Sequence, residues 1–281
     1  MPKLKDYSDL LVKEGKKLDL KDVSTESVGD LPSREEADAA TDKAVRRLGE
    51  LQDALYAEGR RSLLVVLQGM DAAGKDGAVR AVFDAVNPTG VNVTSFKQPT
   101  SEDLRHDFLW RVHAKAPPRG YIGVFNRSHY EDVLIVRVHA GELLPAELQD
   151  DNKVWDRRYK LINSFEKILA EGGTRTVKFF LHISKDEQRE RFRDRQKEPE
   201  KHWKLAAGDF EERKFWDDYQ EAYEQMLPAT STGDSPWYII PADHKWARNY
   251  YMSHILLAIL QEMDPRPPVL VDKSLVTKRF K

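Results

Sequence analysis

Gly69-Met70-Asp71-Ala72-Ala73-Gly74-Lys75 sets two glycines and a lysine at the spacing G-x-x-x-x-G-K. That spacing suits a loop that wraps phosphate: glycines let consecutive backbone N–H groups turn inward, the lysine adds a positive charge, and a following helix offers its unsatisfied N-terminal amides. The candidate phosphate-binding positions are therefore Gly69, Ala72, Ala73, Gly74, Lys75 and Asp76, with the Lys75 ammonium expected to face solvent. Such a loop ordinarily continues with Ser or Thr to hold magnesium, and here that position is Asp76. The metal then needs another ligand. Asp71, inside the loop, offers one, because magnesium takes one or two carboxylates together with waters and phosphate oxygens. The plainer use of Asp71 is an Asx turn that stabilises the loop.

A second cluster, Phe125-Asn126-Arg127-Ser128-His129-Tyr130-Glu131-Asp132, closes a later apolar run. Arg127 there can fork two phosphoryl oxygens with its planar, permanently charged guanidinium. Glu131 or Asp132 can face the same pocket as a metal ligand or base. His129 reads first as a packing or hydrogen-bonding histidine, since proton transfer needs a positioned partner, and Ser128 as a nucleophile is weaker still. Arg137 joins the phosphate-binding candidates. Further on, Ser184 to Gly233 is long, charged and aromatic, too much chain for a plain connector, and reads as a helical lid. Arg189 and Arg193 lie four apart, as do Arg191 and Arg195, so paired arginines project from neighbouring helix faces. Ser184 to Lys214 nevertheless carries ten basic against nine acidic residues, so it is no uniform basic ribbon. The bland reading is a solvated, salt-bridged helix.

These residues need elements to hold them. Ser33-Arg34-Glu35-Glu36 has the form of a capping box, and Ala37, Ala40, Ala44, Leu48, Leu51 and Leu55 recur at helical spacing, predicting a helix to about Glu58. Ser62 to Gln68 is a short, unalternated apolar run that suits a central parallel strand buried on both faces. Similar runs at Val91–Phe96, Gly120–Phe125, Thr176–Ile183 and Trp237–Pro241 alternate with helix-compatible stretches. A βαβαβαβαβ order implies a mainly parallel five-stranded α/β sheet with its ligand site at the strands' carboxyl ends. The expected organisation is an arm over 1–32, one domain over 33–265 with the lid at about 184–233, and a tail over 266–281.

Composition narrows the function. The chain of 281 residues has 45 basic against 47 acidic residues, a net charge of −2, which disfavours nucleic acid or anionic lipid as the partner. Hydrophobic residues at 40% supply a core, and the absence of cysteine removes disulfides, thiolate zinc sites and cysteine nucleophiles. A cysteine-free chain fits a reducing compartment, and the cytoplasm is the expected address. Met1 to Lys17 is interrupted by charges and lacks an apolar signal core, and Ile255 to Leu260 is far short of the ~20 residues of a membrane helix.

The two motifs together, Gly69 to Gly77 and Phe125 to Glu131, resemble the polyphosphate kinase 2 family. The resemblance extends through Arg191-Phe192, Lys201-His202-Trp203-Lys204, Trp216-Asp217-Asp218-Tyr219, Pro236-Trp237 and Ala242-Asp243-His244-Lys245. It implies a thymidylate-kinase-like P-loop core with a helical lid. It also implies phosphoryl transfer between inorganic polyphosphate and nucleotides with magnesium (Mg2+) as cofactor, in a homo-oligomer, dimer or tetramer. By position, Asp71 and Lys75 match the family's catalytic loop residues, Arg127 its second-motif arginine, all three being the catalytic candidates, and lid arginines such as Arg191 and Arg193 match its chain-gripping residues; Lys204 joins the phosphate-binding candidates, and Asp71 and Glu131 are the candidate metal ligands. Asn126 stands where many members have Asp. The Asn-Arg-Ser-His-Tyr-Glu form resembles the subgroup that phosphorylates both AMP and ADP. An ATP-dependent nucleoside monophosphate kinase would use the same core, and a non-enzymatic binder of polyphosphate or nucleic acid is the remaining reading.

Overall fold

Strand β1, Ser62–Gly69, is buried at every position, as its unalternated apolar run requires. In the computed structural model, which describes residues 2–27, 29–205, 207–269 and 276, β1 lies at the centre of a five-stranded sheet. The other strands are β2 Val91–Ser95, β3 Ile122–Asn126, β4 Thr174–His182 and β5 Trp237–Pro241, in the order β2-β3-β1-β4-β5. Every pairing is parallel. The expected strands are all present, with ends displaced by a residue or two. Because β3 and β4 flank β1 on opposite sides, the chain reverses direction across the sheet at the carboxyl end of β1, where open α/β sheets bind ligands.

Helix α1, Arg34–Glu58, begins at the expected capping box: Glu36 N–H donates to Ser33 Oγ (3.4 Å) and Ser33 N–H to Glu36 Oε2 (3.0 Å). It ends at Gly59, φ 63°. Helix α2, Lys75–Val82, follows the phosphate loop directly. The short helices α3 Trp110–His113, α4 Ile135–Val138, α5 Ala140–Leu143 and α6 Ala146–Gln149 lead to α7, Val154–Glu171, which packs on β4. After β4 come α8 Lys185–Lys197, α9 Ala207–Glu212 and α10 Trp216–Thr230, and after β5 comes α11, Lys245–Met263. The apolar run Ile255 to Leu260 is a core segment of α11, packed between α1 and the sheet.

The segment expected as a lid is helical, but its ends are anchored. Gln188, Arg191 and Phe192 of α8 and Ala222, Tyr223, Met226 and Leu227 of α10 are buried, whereas Trp203, in the turn between, is 78% exposed.

The N-terminal arm is part of the fold. Leu11 bridges Tyr238 antiparallel, Val12 N–H donates to Trp237 O (2.9 Å), and Leu10, Val12 and Leu20 are buried, so the arm covers the β5 edge that would otherwise present unpaired backbone. Among the tail residues 266–281, 266–269 and 276 are described; the rest of that expectation lies outside the described residues. Among the described residues, no helix is long and apolar enough to cross a membrane.

The arm should therefore carry stability. Leu20, 2% exposed, buries its side chain although it precedes the first strand. Urea unfolding of Leu20→Ala should show a loss of about 2–5 kcal/mol, while Leu104→Ala, at a position 73% exposed, should stay within about 0.5 kcal/mol of wild type. Equal stabilities for the two variants would mean that the arm is not part of the cooperative unit.

Candidate active site

Strand β1 delivers the chain into a loop that only glycine permits at two points. Gly69 has φ +154°, and a Cβ there would lie 2.7 Å from Leu181 O; Gly74 has φ +97°, and a Cβ there would lie 2.2 Å from Arg248 Nη1. Lys75 opens α2, and its ammonium curls back beneath the loop, donating to Gly69 O (2.7 Å) and Met70 O (3.3 Å). Lys75 is only 9% exposed, contrary to the solvent-facing lysine expected, because its ammonium is drawn onto the loop carbonyls. Burial, seconded by the nearby Arg127 guanidinium, pushes the Lys75 ammonium down to about 8, against the pull of Asp71, Glu131 and Asp76.

The second motif arrives from β3, whose last residue, Asn126, lies opposite Leu67. Arg127 then takes the left-handed φ of 61° and donates its N–H to Leu67 O (3.1 Å), which turns its side chain over the loop. Nη2 reaches Asp71 Oδ1 at 2.6 Å and Nη1 lies 3.5 Å from Glu131 Oε2. A 3-10 turn over His129–Val133 brings Glu131 back to the cleft. Burial works against the guanidinium's charge, but Glu131 and Asp71 outweigh it and hold Arg127 more firmly protonated than usual.

Asn126 donates from Nδ2 to Asp76 Oδ1 (2.7 Å), so the amide at the end of β3 and the acid in the hydroxyl position of the loop are partners. Asp132 does not share the cleft. It faces Arg158 and Arg111, and burial raises its carboxyl to about 6 despite both. Ser128 and His129 are buried behind the turn, as a packing role requires.

The helical segment forms the opposite wall. Gln188 Nε2 donates to Asp71 O (2.9 Å), Arg213 Nη1 donates to Gln188 Oε1 (2.5 Å), and Tyr219 OH donates to Glu212 Oε2 (2.7 Å). With Tyr223 and Asp209 these side chains face Gly69, Met70, Asp71, Arg127 and Glu131 across one open cleft.

The expectation that Arg191 grips a polymer meets a different arrangement. Its Nε donates to Glu187 Oε1 (2.7 Å), Nη1 to Ala72 O and Ala73 O (both 2.9 Å), and Nη2 to Ala242 O (2.5 Å) and Asp243 O (3.0 Å). All five donors serve protein oxygens, so Arg191 ties α8 and the β5–α11 connection to the phosphate loop. Arg193 is half-exposed beside Glu190 (2.6 Å), Lys204 lies over the Trp203 ring (5.0 Å), and Arg137 donates to Tyr159 OH (2.9 Å) and Gln225 Oε1 (2.6 Å). None of these three lines the cleft around Asp71. Sequence reasoning passed over Arg213, Gln188 and Arg248. Arg248 Nη1 donates to Gly74 O (3.1 Å), and burial with Arg191 beside it pushes its guanidinium down to about 10. Only its place after the β5 motif set it apart in the sequence.

Asp71 and Glu131 supply hard oxygen donors on one side of the cleft. Among the described residues no cluster of three or more metal-ligating side chains exists, so a cation here would need substrate oxygens and water as well, as magnesium does.

A phosphate loop with its lysine, an arginine across from it and flanking carboxylates, at the carboxyl edge of a parallel sheet, define a P-loop phosphotransferase. The family model for Polyphosphate kinase 2 matches residues 32–268, and the chain belongs to that family. It is 52% identical over 234 residues to an AMP/ADP-polyphosphate phosphotransferase of Meiothermus ruber, spanning 82% of this chain and 85% of the relative. It is 47% identical over 256 residues to an ADP-polyphosphate phosphotransferase of Rhodopseudomonas palustris, spanning 90% and 89%. The crystal structure of Polyphosphate Kinase 2 from Arthrobacter aurescens superposes with a TM-score of 0.88 at 41% identity, covering 96% of this chain and 95% of that one.

The buried lysine has a consequence for stability. Lys75 is held near 8 in the fold against an ordinary 10.5, so between those pH values the unfolded chain binds more protons and wild-type stability rises with pH. The penalty is fully present below pH 8. Urea unfolding of wild type and Lys75→Met at pH 7.5 and 10 should show wild type gaining about 2 kcal/mol on the variant over that interval. A constant difference would place the ammonium in water.

Proposed function

We propose that this protein moves phosphoryl groups between inorganic polyphosphate and adenine nucleotides, converting AMP to ADP and ADP to ATP. The observation that carries the reading is Arg127, aimed over the phosphate loop and bracketed by Asp71 and Glu131. Phosphoryl transfer asks for positioning and charge neutralisation with little covalent work by the protein. Lys75 and the loop amides would hold the phosphates, Arg127 would fork the transferring group, and Asp71 with Glu131 would hold magnesium. Bound there, the ion would offset charge on the phosphoryl oxygens.

Glu131 supports the two-step acceptor range. A carboxylate in the cleft can share in holding a metal that orients AMP, whose single phosphate leaves a gap that ADP would fill. The names of the relatives agree with polyphosphate as donor. We further read the chain as a cytoplasmic homo-oligomer, a dimer or tetramer. Arg193 and Lys204 remain the lid cations proposed to meet the polymer, and Arg191 is reassigned as the brace of the loop.

The deciding assay supplies AMP or ADP with magnesium and either polyphosphate or ATP as donor, with products resolved by chromatography. Wild type should make ADP and ATP from polyphosphate, and Arg127→Ala and Asp71→Asn should each lower kcat at least about a hundredfold. Transfer from ATP to AMP with polyphosphate inert would overturn the donor, and ADP reacting with AMP inert would overturn the acceptor range.

The two lid arginines should separate kinetically. Arg193→Ala should raise the polyphosphate KM by about twofold to fivefold with nucleotide KM unchanged, as one exposed pair is worth ~1 kcal/mol. Arg191→Ala should instead lower kcat and the melting temperature together. Equal kinetic signatures would sink the division of roles.

A further inference from the structure

On the side of the Arg127 turn away from the cleft, four polar side chains meet inside the core. Glu166 of α7, Lys178 of β4, and His129 and Tyr130 of the turn are all fully or almost fully buried. Lys178 Nζ donates to Glu166 Oε2 (2.5 Å), Tyr130 OH (2.8 Å) and Thr230 O (2.6 Å), which uses all three of its protons. Tyr130 OH donates to Glu166 Oε1 (2.8 Å), and His129 Nε2 lies 3.3 Å from the same oxygen. A second tie runs to β1, where Gln68 Nε2 donates to Ser128 Oγ (3.2 Å), and that oxygen also accepts the Tyr130 N–H (3.2 Å).

The chain therefore alternates sharply. Arg127 points into the cleft, Ser128, His129 and Tyr130 point into the core, and Glu131 returns to the cleft. An ion pair at such a depth adds little to stability that apolar side chains of the same shape would not supply, and removing one partner alone is costly. What the network adds is direction, because His129 and Tyr130 can satisfy Glu166 and Lys178 in only one phase of the turn. The left-handed φ of Arg127 points the same way. A residue with a Cβ keeps that conformation only where its surroundings over-determine it.

We propose that Glu166 and Lys178 are positioning residues for phosphoryl transfer, fixing through His129 and Tyr130 the turn that aims Arg127 and Glu131 into the cleft. The inference rests on the reading of Arg127 given above. Neither Glu166 nor Lys178 touches substrate, so both act on rate through the geometry of another side chain.

The test is a set of double-mutant cycles on the full chain. Tyr130→Phe, Glu166→Gln, Lys178→Met and the neutral pair Glu166→Gln/Lys178→Met are each made in wild type and in Arg127→Ala, with kcat, both KM values and melting temperature measured. In wild type, the single charge removals should lower kcat about tenfold or more and Tyr130→Phe about threefold, with polyphosphate and nucleotide KM within about twofold. In Arg127→Ala the charge removals should cost less than about threefold and Tyr130→Phe nothing measurable, because the side chain they aim is gone. The neutral pair should recover melting temperature without recovering kcat. Tyr130→Phe keeps the ring and all other contacts, so it remains readable if a charge removal fails to fold. Equal factors in both backgrounds, or kcat that recovers together with melting temperature in the neutral pair, would reduce the network to core structure. Normal kcat in Arg127→Ala itself would instead strike the reading of Arg127, and the two failures are told apart by that single variant.

Discussion

Lys75, Arg191 and Arg248 are all buried around the one short loop Gly69–Lys75, with Arg127 above it, and their mutual repulsion is the constraint that the surrounding structure must offset. Carbonyls do most of it. Gly69 and Met70 accept from Lys75, Ala72 and Ala73 from Arg191, and Gly74 from Arg248, so the loop's oxygens face its cations. A loop whose carbonyls point away from the cleft leaves its N–H groups available to point into it, the arrangement that anion binding requires. The same cations that crowd the loop therefore prepare it for phosphate.

Arg127 is offset differently, by Asp71 and Glu131, and this difference separates what is fixed from what exchanges. Arg191 and Arg248, beneath the loop, are held by backbone carbonyls that cannot leave. Arg127, above it, is held by the side-chain carboxylates of Asp71 and Glu131 and is part-exposed to the cleft, so its partners can be exchanged. Asp76 and Asn126 extend the logic: each departs from the usual P-loop pattern, and each is the other's hydrogen-bond partner, so neither departure leaves an unpaired group.

Strand β1, the loop and the α1 capping box were legible because each is local. An unalternated apolar run, a glycine spacing and a Ser-x-x-Glu cap act over a few residues, and nothing distant overrides them. Arg127 and Glu131 were legible as candidates for the same reason, lying at the end of a readable strand. Arg191 was not. A charged helix that grips a polymer and one whose arginine braces a loop have the same arginine spacing, and only the distance from α8 to Ala72 and Ala242 decides between them. The burial of Lys75 is not legible either, because the motif specifies its chemistry and leaves open which way the side chain turns. The arm shows no period because two short 3-10 helices, Leu4–Leu10 and Leu20–Asp22, flank the extended stretch in which Leu11 and Val12 meet β5.

The cleft thus has a floor and a roof built from different interactions. Its floor, the loop Gly69–Lys75, rests on buried hydrogen bonds whose loss leaves desolvated charge, so its geometry is costly to change and is set before any substrate arrives. The helical segment that roofs it carries, outside the cleft itself, exposed one-turn pairs such as Arg193–Glu190 and Lys214–Glu211, each worth at most ~1 kcal/mol. A rigid floor suits the reacting phosphoryl group, whose transition state must be met by donors already in place. An adjustable roof suits a polymer whose length and register vary, because cheap ion pairs can be exchanged for phosphates one at a time. The contrast follows from burial alone: the same arginine side chain is a brace where carbonyls enclose it, at Arg191, and is left free to change partners where it is half-exposed, at Arg193.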